Sequence, residues 1–185
     1  MTERNQPPAD FRAAMAGLRE IVTRPEIEVS EAPAPQRLAP YAVALTAEVV
    51  VSDIEQASGR LVLLHDPVGQ EAWRGRWRVV VFSKGYIEPE LIEEATLSDM
   101  GWAWLTEALR GQGVGIRELG GTVTRTYSQS YGALESRDVE GQLELRASWT
   151  PPDDPIPGHI RAWLSLLEAM AGLEPLPEGV TSLRR

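Results

Sequence analysis

Apolar residues recur along this chain with two different periods, and the switches between them mark the elements. Phe11, Met15, Leu18 and Val22 fall at i, i+4, i+7 and i+11, which predicts a helix over about 11–22 with Asp10 as its N-cap and Pro25 beyond its end. EIEVSE (26–31) reads as a short edge strand, and APAPQRLAP (32–40) as a proline-punctuated connector with no packing signal of its own. YAVALTAEVVVS (41–52) alternates: Val43, Leu45, Ala47, Val49 and Val51 face one way, Thr46 and Glu48 the other. Residues 59–65 and 76–83 are two more strands, rich in Val and Leu. The breaks between these strands are short and polar, which favours antiparallel neighbours.

IEPELIEEA (87–95) predicts a short helix with Pro89 in its first turn. TLSD then opens a helix over 99–111 that points Trp102, Leu105 and Leu109 one way and stops at Gly111 and Gly113. GTVTRTYSQSYG (121–132) and QLELRASW (142–149) are strands, the first with one face made entirely of Ser and Thr. A last helix, about 158–171, carries Ile160, Trp163, Leu167 and Met170 on one face. The expected class is α+β: an antiparallel sheet of five to six strands with helices packed on it, in the order α-βββ-α-ββ-α. Residues 1–185 are expected to form a single domain, with 1–9 and 174–185 as extended or frayed tails.

The formal net charge of −9 repels phosphate on average, and no basic cluster interrupts it, so direct nucleic-acid contact is not expected. Without cysteine there are no disulfides, thiolate nucleophiles or cysteine metal sites. No apolar run is long enough to cross a membrane, and MTERNQPPAD does not resemble a signal peptide; a cytoplasmic address with no membrane partner is expected. The two histidines, His65 and His159, are far apart and sit in no metal-ligand spacing, so no metal is expected; His159 is expected in an exposed or helix-terminal role. GQGVG (111–115) follows a helix and precedes a strand, the reverse of a dinucleotide loop, and no cofactor is expected.

The chemically richest stretch is RLVLLHDPVGQEAWRGRWRVVVF (60–82). Asp66, Pro67 and Gly69 occupy the positions a type I turn prefers, so the segment reads first as a hairpin turn. His65 shares the face of Leu61 and Leu63, and a strand sends its neighbour Asp66 to the opposite side, so adjacency makes no dyad. Trp73 and Arg74 at the loop tip are either interface anchors or a cover for the sheet edge. Trp104 lies far around its helix from Trp102 and Leu105: the helix is buried on two sides, or Trp104 belongs to a contact surface such as a dimer interface. His65, Asp66, Trp73, Arg74, Trp104 and Arg125 are the candidate binding residues; none is assigned a catalytic role.

APQRLAPYAVAL (34–45), GRLVLLHDPVGQEAW (59–73), GWAWLTEAL (101–109), GTVTR (121–125), RASWTP (146–151) and PLPEGV (175–180) together resemble an uncharacterised actinobacterial family, a domain of unknown function. That resemblance brings no activity, cofactor or site residue; genes of such proteins often lie beside one of ribonuclease D type. The element order is also similar to type III secretion chaperones and to a sensory-regulator family of like architecture, which implies a dimer that holds a partner polypeptide. Three readings follow. The first is a non-enzymatic cytoplasmic binding or adaptor protein, expected as a homodimer or with a protein partner. The second is a small-molecule sensor or enzyme with a pocket near His65, Asp66 and Arg125. The third is an accessory factor in RNA metabolism.

Overall fold

Alternation through the middle of the chain resolves into one antiparallel sheet in the computed structural model, which describes residues 6–152 and 155–176. Helix α1 (Ala9–Arg19) is followed by β1 (Ile27–Ala32), β2 (Tyr41–Val51), β3 (Ile54–Gln70) and β4 (Gly75–Ile87). Helix α2 (Leu97–Gly111), strands β5 (Arg117–Ser128) and β6 (Glu140–Thr150), and helix α3 (Ile156–Met170) complete it. The strand order is β1-β2-β3-β4-β6-β5, and every pairing is antiparallel. This is the expected α+β arrangement, and the order differs from α-βββ-α-ββ-α only in that the 26–31 edge segment joins the sheet as β1, giving four strands before α2.

Register decides which residues meet the helices. Val43, Leu61, Val79 and Trp149 are buried on one face, with Leu63, Val81, Leu143 and Leu145 beside them. Helix α3 lies against β2, β3 and β4 on that face, α2 covers β5 and β6, and α1 packs on α3. Ten residues of α3 are buried, far more than one amphipathic stripe, because neighbours surround it. Two buried indoles fix its rotation: Trp163 Nε1 donates to Ser83 Oγ at 3.2 Å, and Trp149 Nε1 donates to His159 Nδ1 at 3.1 Å. His159 is therefore wholly buried, and its expected exposed role is corrected.

Other expectations shift for local reasons. Helix α1 starts at Ala9 after Pro8, so Asp10 sits in the first turn and not at the cap; Val22 lies past the helix and is exposed. The chain before β3 turns tightly at Ser52 and Asp53, both at positive φ (52° and 63°), as a type I′ hairpin requires. The anticipated helix at 87–95 is only a 3-10 turn, Pro89–Leu91: Ile92 is the segment's one buried side chain, too little to repay helix nucleation. Strand β5 begins at Arg117 and ends at Ser128, so 129–131 is loop and Gly132 opens a 3-10 turn, Gly132–Leu134.

Asp66-Pro67-Val68-Gly69 does not reverse the chain. Pro67 has no N–H to give a ladder, Asp66 Oδ1 accepts from Val68 N at 3.1 Å, and Gly69 adopts φ +88°. The result is an extended bulge after His65, beyond which Gln70 pairs with Gly75. Reversal happens at a 3-10 turn, Glu71–Trp73, closed by Arg74 at φ 51°. The segment is a hairpin, with its turn five residues later than the Asp-Pro signal implies. Of the expected tails, Ala9 belongs to α1, Arg24 Nη1 donates to the Glu174 carbonyl at 2.7 Å, and residues 1–5 and 177–185 lie outside the described residues. Among the described residues no helix is long and apolar enough to cross a membrane.

Among the described residues the sheet's second face carries no helix. The 33–40 connector is tied to part of it: Arg60 Nη2 donates to the Pro33 carbonyl at 2.6 Å and Gln70 Nε2 to that of Leu38 at 3.4 Å. Ala44 and Leu64 of that face are consequently buried, while Val80 is 38% exposed.

Helix α3 approaches the sheet closely at Gly85, where a Cβ would lie 2.9 Å from the Met170 carbonyl oxygen; at Gly120 a Cβ meets nothing within 4 Å. Gly85→Val should therefore destabilise the fold by about 1–3 kcal/mol through overpacking. Gly120→Ala should stay within about 0.5 kcal/mol of the parent, both measured by urea unfolding.

Candidate functional site

Strand β3 delivers His65 to the helix-covered face at the end of its regular pairing, opposite Tyr41 on β2 and Trp77 on β4. The imidazole is wholly buried and stacks on Trp77 at 4.0 Å between centroids, with Phe11 of α1 at 6.0 Å and Tyr41 at 6.3 Å. Asp10, in the first turn of α1, brings Oδ1 to 3.3 Å from His65 Nε2 and receives Arg76 Nη1 on Oδ2 at 3.0 Å. Neither ring nitrogen makes an aligned hydrogen bond among the described residues. Burial pushes the His65 pKa below its usual 6.5; Asp10 and the Arg76 backbone pull the other way without overcoming it.

This centre closes the start of α1 onto the sheet. A general base needs a hydrogen-bonded proton donor within reach and an open approach for substrate. His65 has aromatic rings on three sides and one carboxylate beside it. Among the described residues no three His, Cys, Asp or Glu side chains gather as a metal would require.

The remaining candidate residues are scattered. Asp66 turns to the opposite face and receives Val68 N and Gln70 Nε2, the latter at 3.3 Å. Arg125 is in register with Leu143, which pairs with Gly85 and hence with Ala57, eight residues back along β3 from His65. At the ~3.4 Å rise per residue of an antiparallel strand, that is on the order of 27 Å away along the sheet. There Arg125 Nη1 donates to the carbonyls of Ile92 and Glu94, at 3.0 and 2.7 Å, pinning the loop before α2. His65, Asp66 and Arg125 thus occupy three separate environments.

Trp73 is half-buried at the hairpin tip, and its carbonyl accepts Thr150 Oγ1 at 2.6 Å, tying the tip to the end of β6. Arg74 makes an exposed ion pair with Glu118 at 3.2 Å. Trp104 is half-buried and packs against the core, as expected of a helix with both α3 and β5–β6 as neighbours.

A group of apolar and charged side chains left uncovered lies on the second face of the sheet. Register aligns Arg60 (β3), Phe82 (β4) and Arg146 (β6) in one row, with Val62 and Val80 in the row beside it. The row on the other side holds Glu48 (β2), Ser58 (β3), Lys84 (β4) and Glu144 (β6). Arg146 lies 5.2 Å from the Phe82 ring and 3.3 Å from Glu144, and the apolar centre forms a shallow depression of about 460 Å³. The arginines are not a free phosphate-binding array: Arg78 donates to Ser148 Oγ and Thr150 Oγ1, and Arg146 pairs with Glu144. The sequence signal for this surface was RWRVVVF, an apolar run that does not alternate and so loads both faces of β4.

An α+β fold with the three described α-helices on one face of a six-stranded sheet, and a mixed apolar and charged surface on the other, is the class these features define. The chain belongs to the family described as "Protein of unknown function (DUF3000)", which matches residues 7–181. No curated protein and no solved structure matches it.

The sign of the His65 shift sets a pH dependence. The unfolded chain takes up this proton near pH 6.5 and the folded chain only at lower pH, so between those values the unfolded state binds more protons. Stability should fall as the pH drops below about 6.5. Glu168, whose pKa burial raises from 4.5, contributes with the opposite sign. The test is therefore a difference: thermal midpoints from pH 7.5 to 5 should decline more steeply in the parent than in His65→Phe.

Proposed function

We propose that this chain is a non-enzymatic binding protein that works as a homodimer, two copies meeting across the helix-free face of the sheet. The observation that carries this reading is the pair of adjacent rows on that face, cationic and aromatic at Arg60, Phe82 and Arg146, largely anionic at Glu48 and Glu144. A two-fold axis running across the strands between those rows places each row over the other row of the second copy. Arg146 then meets Glu144, and Phe82 meets the Lys84 ammonium, across the interface. An axis along the strands would instead set Arg60 against Arg146, a like-charge clash. A self-complementary patch is what a two-fold interface requires.

An apolar centre of Val62, Val80 and Phe82 with charges around it has the anatomy of a protein interface, where a few buried groups carry most of the affinity. The scattered positions of His65, Asp66 and Arg125 favour binding over a catalytic pocket at those residues. A cysteine-free chain suits a reducing compartment, and a cytoplasmic address belongs to the same reading.

Sedimentation equilibrium at micromolar concentration should give twice the 20.4 kDa of one chain. Arg146→Glu should weaken self-association at least tenfold, or about 1.4 kcal/mol, and adding Glu144→Arg should restore it. A parent chain that stays at 20.4 kDa, the mass of one chain, up to 100 µM would end the proposal.

A further inference from the structure

On the helix-covered face, the second half of α1 does not close onto the sheet. A half-open cavity of about 490 Å³ lies between them, walled by Met15 and Leu18 of α1, Val29 of β1 and Leu45 of β2, over a floor of Val43 and Ile160. Its volume falls within the ~300–1,000 Å³ typical of small-molecule sites. The geometry of α1 explains why the gap exists. Its first turn is held at His65 and Arg76, and Phe11 stacks over Trp77 at 6.1 Å, whereas its later turns rest on α3. At its base Gly17 lies so close to Pro157 that a Cβ would come within 2.5 Å of the ring. The helix is thus fixed at one end and along one side, and its remaining apolar side faces the cavity.

Two charged side chains stand at the rim, Arg19 on α1 and Glu31 on β1. Neither makes an ion pair with another described residue. The other polar side chain lining the cavity, Thr23, donates Oγ1 to the Ile27 carbonyl at 3.2 Å. An apolar interior with one free guanidinium on the helix side suits a single-chain amphiphile whose anionic head reaches Arg19 and whose hydrocarbon chain fills the gap. Glu31 on the opposite rim repels a second negative group, which limits the head to one charge.

We infer that the cavity under α1 binds a medium-chain acyl carboxylate, head at Arg19 and chain over Val43 and Ile160. The inference is independent of self-pairing, because the cavity and the dimer surface lie on opposite faces of the sheet.

Isothermal titration of the full chain with decanoate, decanol and decyltrimethylammonium, the ionic probes below their micellar concentrations and decanol below its solubility limit, tests it. Decanoate should bind at least fivefold tighter than decanol, and the cationic probe more weakly than both. Arg19→Ala should abolish the preference for decanoate while leaving decanol affinity within twofold. Leu45→Trp, which fills the cavity from β2, should remove binding of every probe. Should that variant fail to fold, as judged by its thermal melt, Leu18→Trp fills it from the helix side. Absence of decanoate binding to the parent, tighter binding of the cation, or binding that survives a folded cavity-filling variant would each overturn the inference.

Discussion

Everything else in this molecule depends on the burial of α3 against the middle of the sheet. Its aliphatic side chains, with Trp163 wholly buried among them, fill the space above β2, β3 and β4, and the bonds Trp163–Ser83 and Trp149–His159 fix its rotation and depth. A buried indole N–H without a partner costs on the order of 1–3 kcal/mol, so these two bonds admit few alternative settings of the helix. Once α3 is placed, α1 and α2 have only its flanks to pack on. All three helices consequently share one face, and the 33–40 connector and the hairpin tip at Trp73 reach only parts of the other.

That asymmetry explains where uncovered apolar side chains appear. Strands covered on one side alternate apolar and polar residues, as β6 does: Leu143, Leu145, Ala147 and Trp149 point in, while Glu144, Arg146 and Ser148 point out. Strand β4 breaks the rule, since Val80 and Phe82 point away from the helices between Val79, Val81 and Ser83, which point toward them. An apolar patch on an otherwise polar sheet face is the kind of feature that marks an interaction surface. Here the residues that interrupt the pattern, Val80 and Phe82, supply the apolar part of the face, and the ones that obey it, Glu144 and Arg146, supply its charge.

Much of the architecture was legible because alternation and helical spacing are local signals. The antiparallel sheet, the element order, the inward set of β6 and the stripe of α3 all follow from periods of two and of about three and a half residues. What was not legible depended on distant partners. Asp10 has the chemistry of an N-cap, but Arg76, sixty-six residues on, holds its carboxylate in the first turn beside His65. Asp66, Pro67 and Gly69 have the letters of a turn, yet pairing of Gln70 with Gly75 continues the hairpin past them. His159 reads as exposed until one notes that α3 has only Arg161 and Glu168 as charged residues, a composition for a helix enclosed on most sides. Of the candidate site residues, His65 proved a buried packing centre, Arg125 a loop clamp and Asp66 part of a bulge. The outward row of Arg60, Phe82 and Arg146 needed the sheet register to assemble.

The buried His65 is the feature most open to a catalytic interpretation, and its surroundings argue for a mechanical one. A carboxylate beside an imidazole serves catalysis when it orients the ring toward a substrate, which requires the far nitrogen to face open space. Here the ring lies flat on Trp77, and Phe11 and Asp10 reach it from the same helix turn. Carboxylate, imidazole and guanidinium therefore act as a clasp, fastening the start of α1 to the ends of β3 and β4. A clasp at one end of α1 and a cavity under its other half are two consequences of the same placement. The helix must span from β4 to β1 while resting on α3, and one straight cylinder cannot follow a twisted sheet along its whole length.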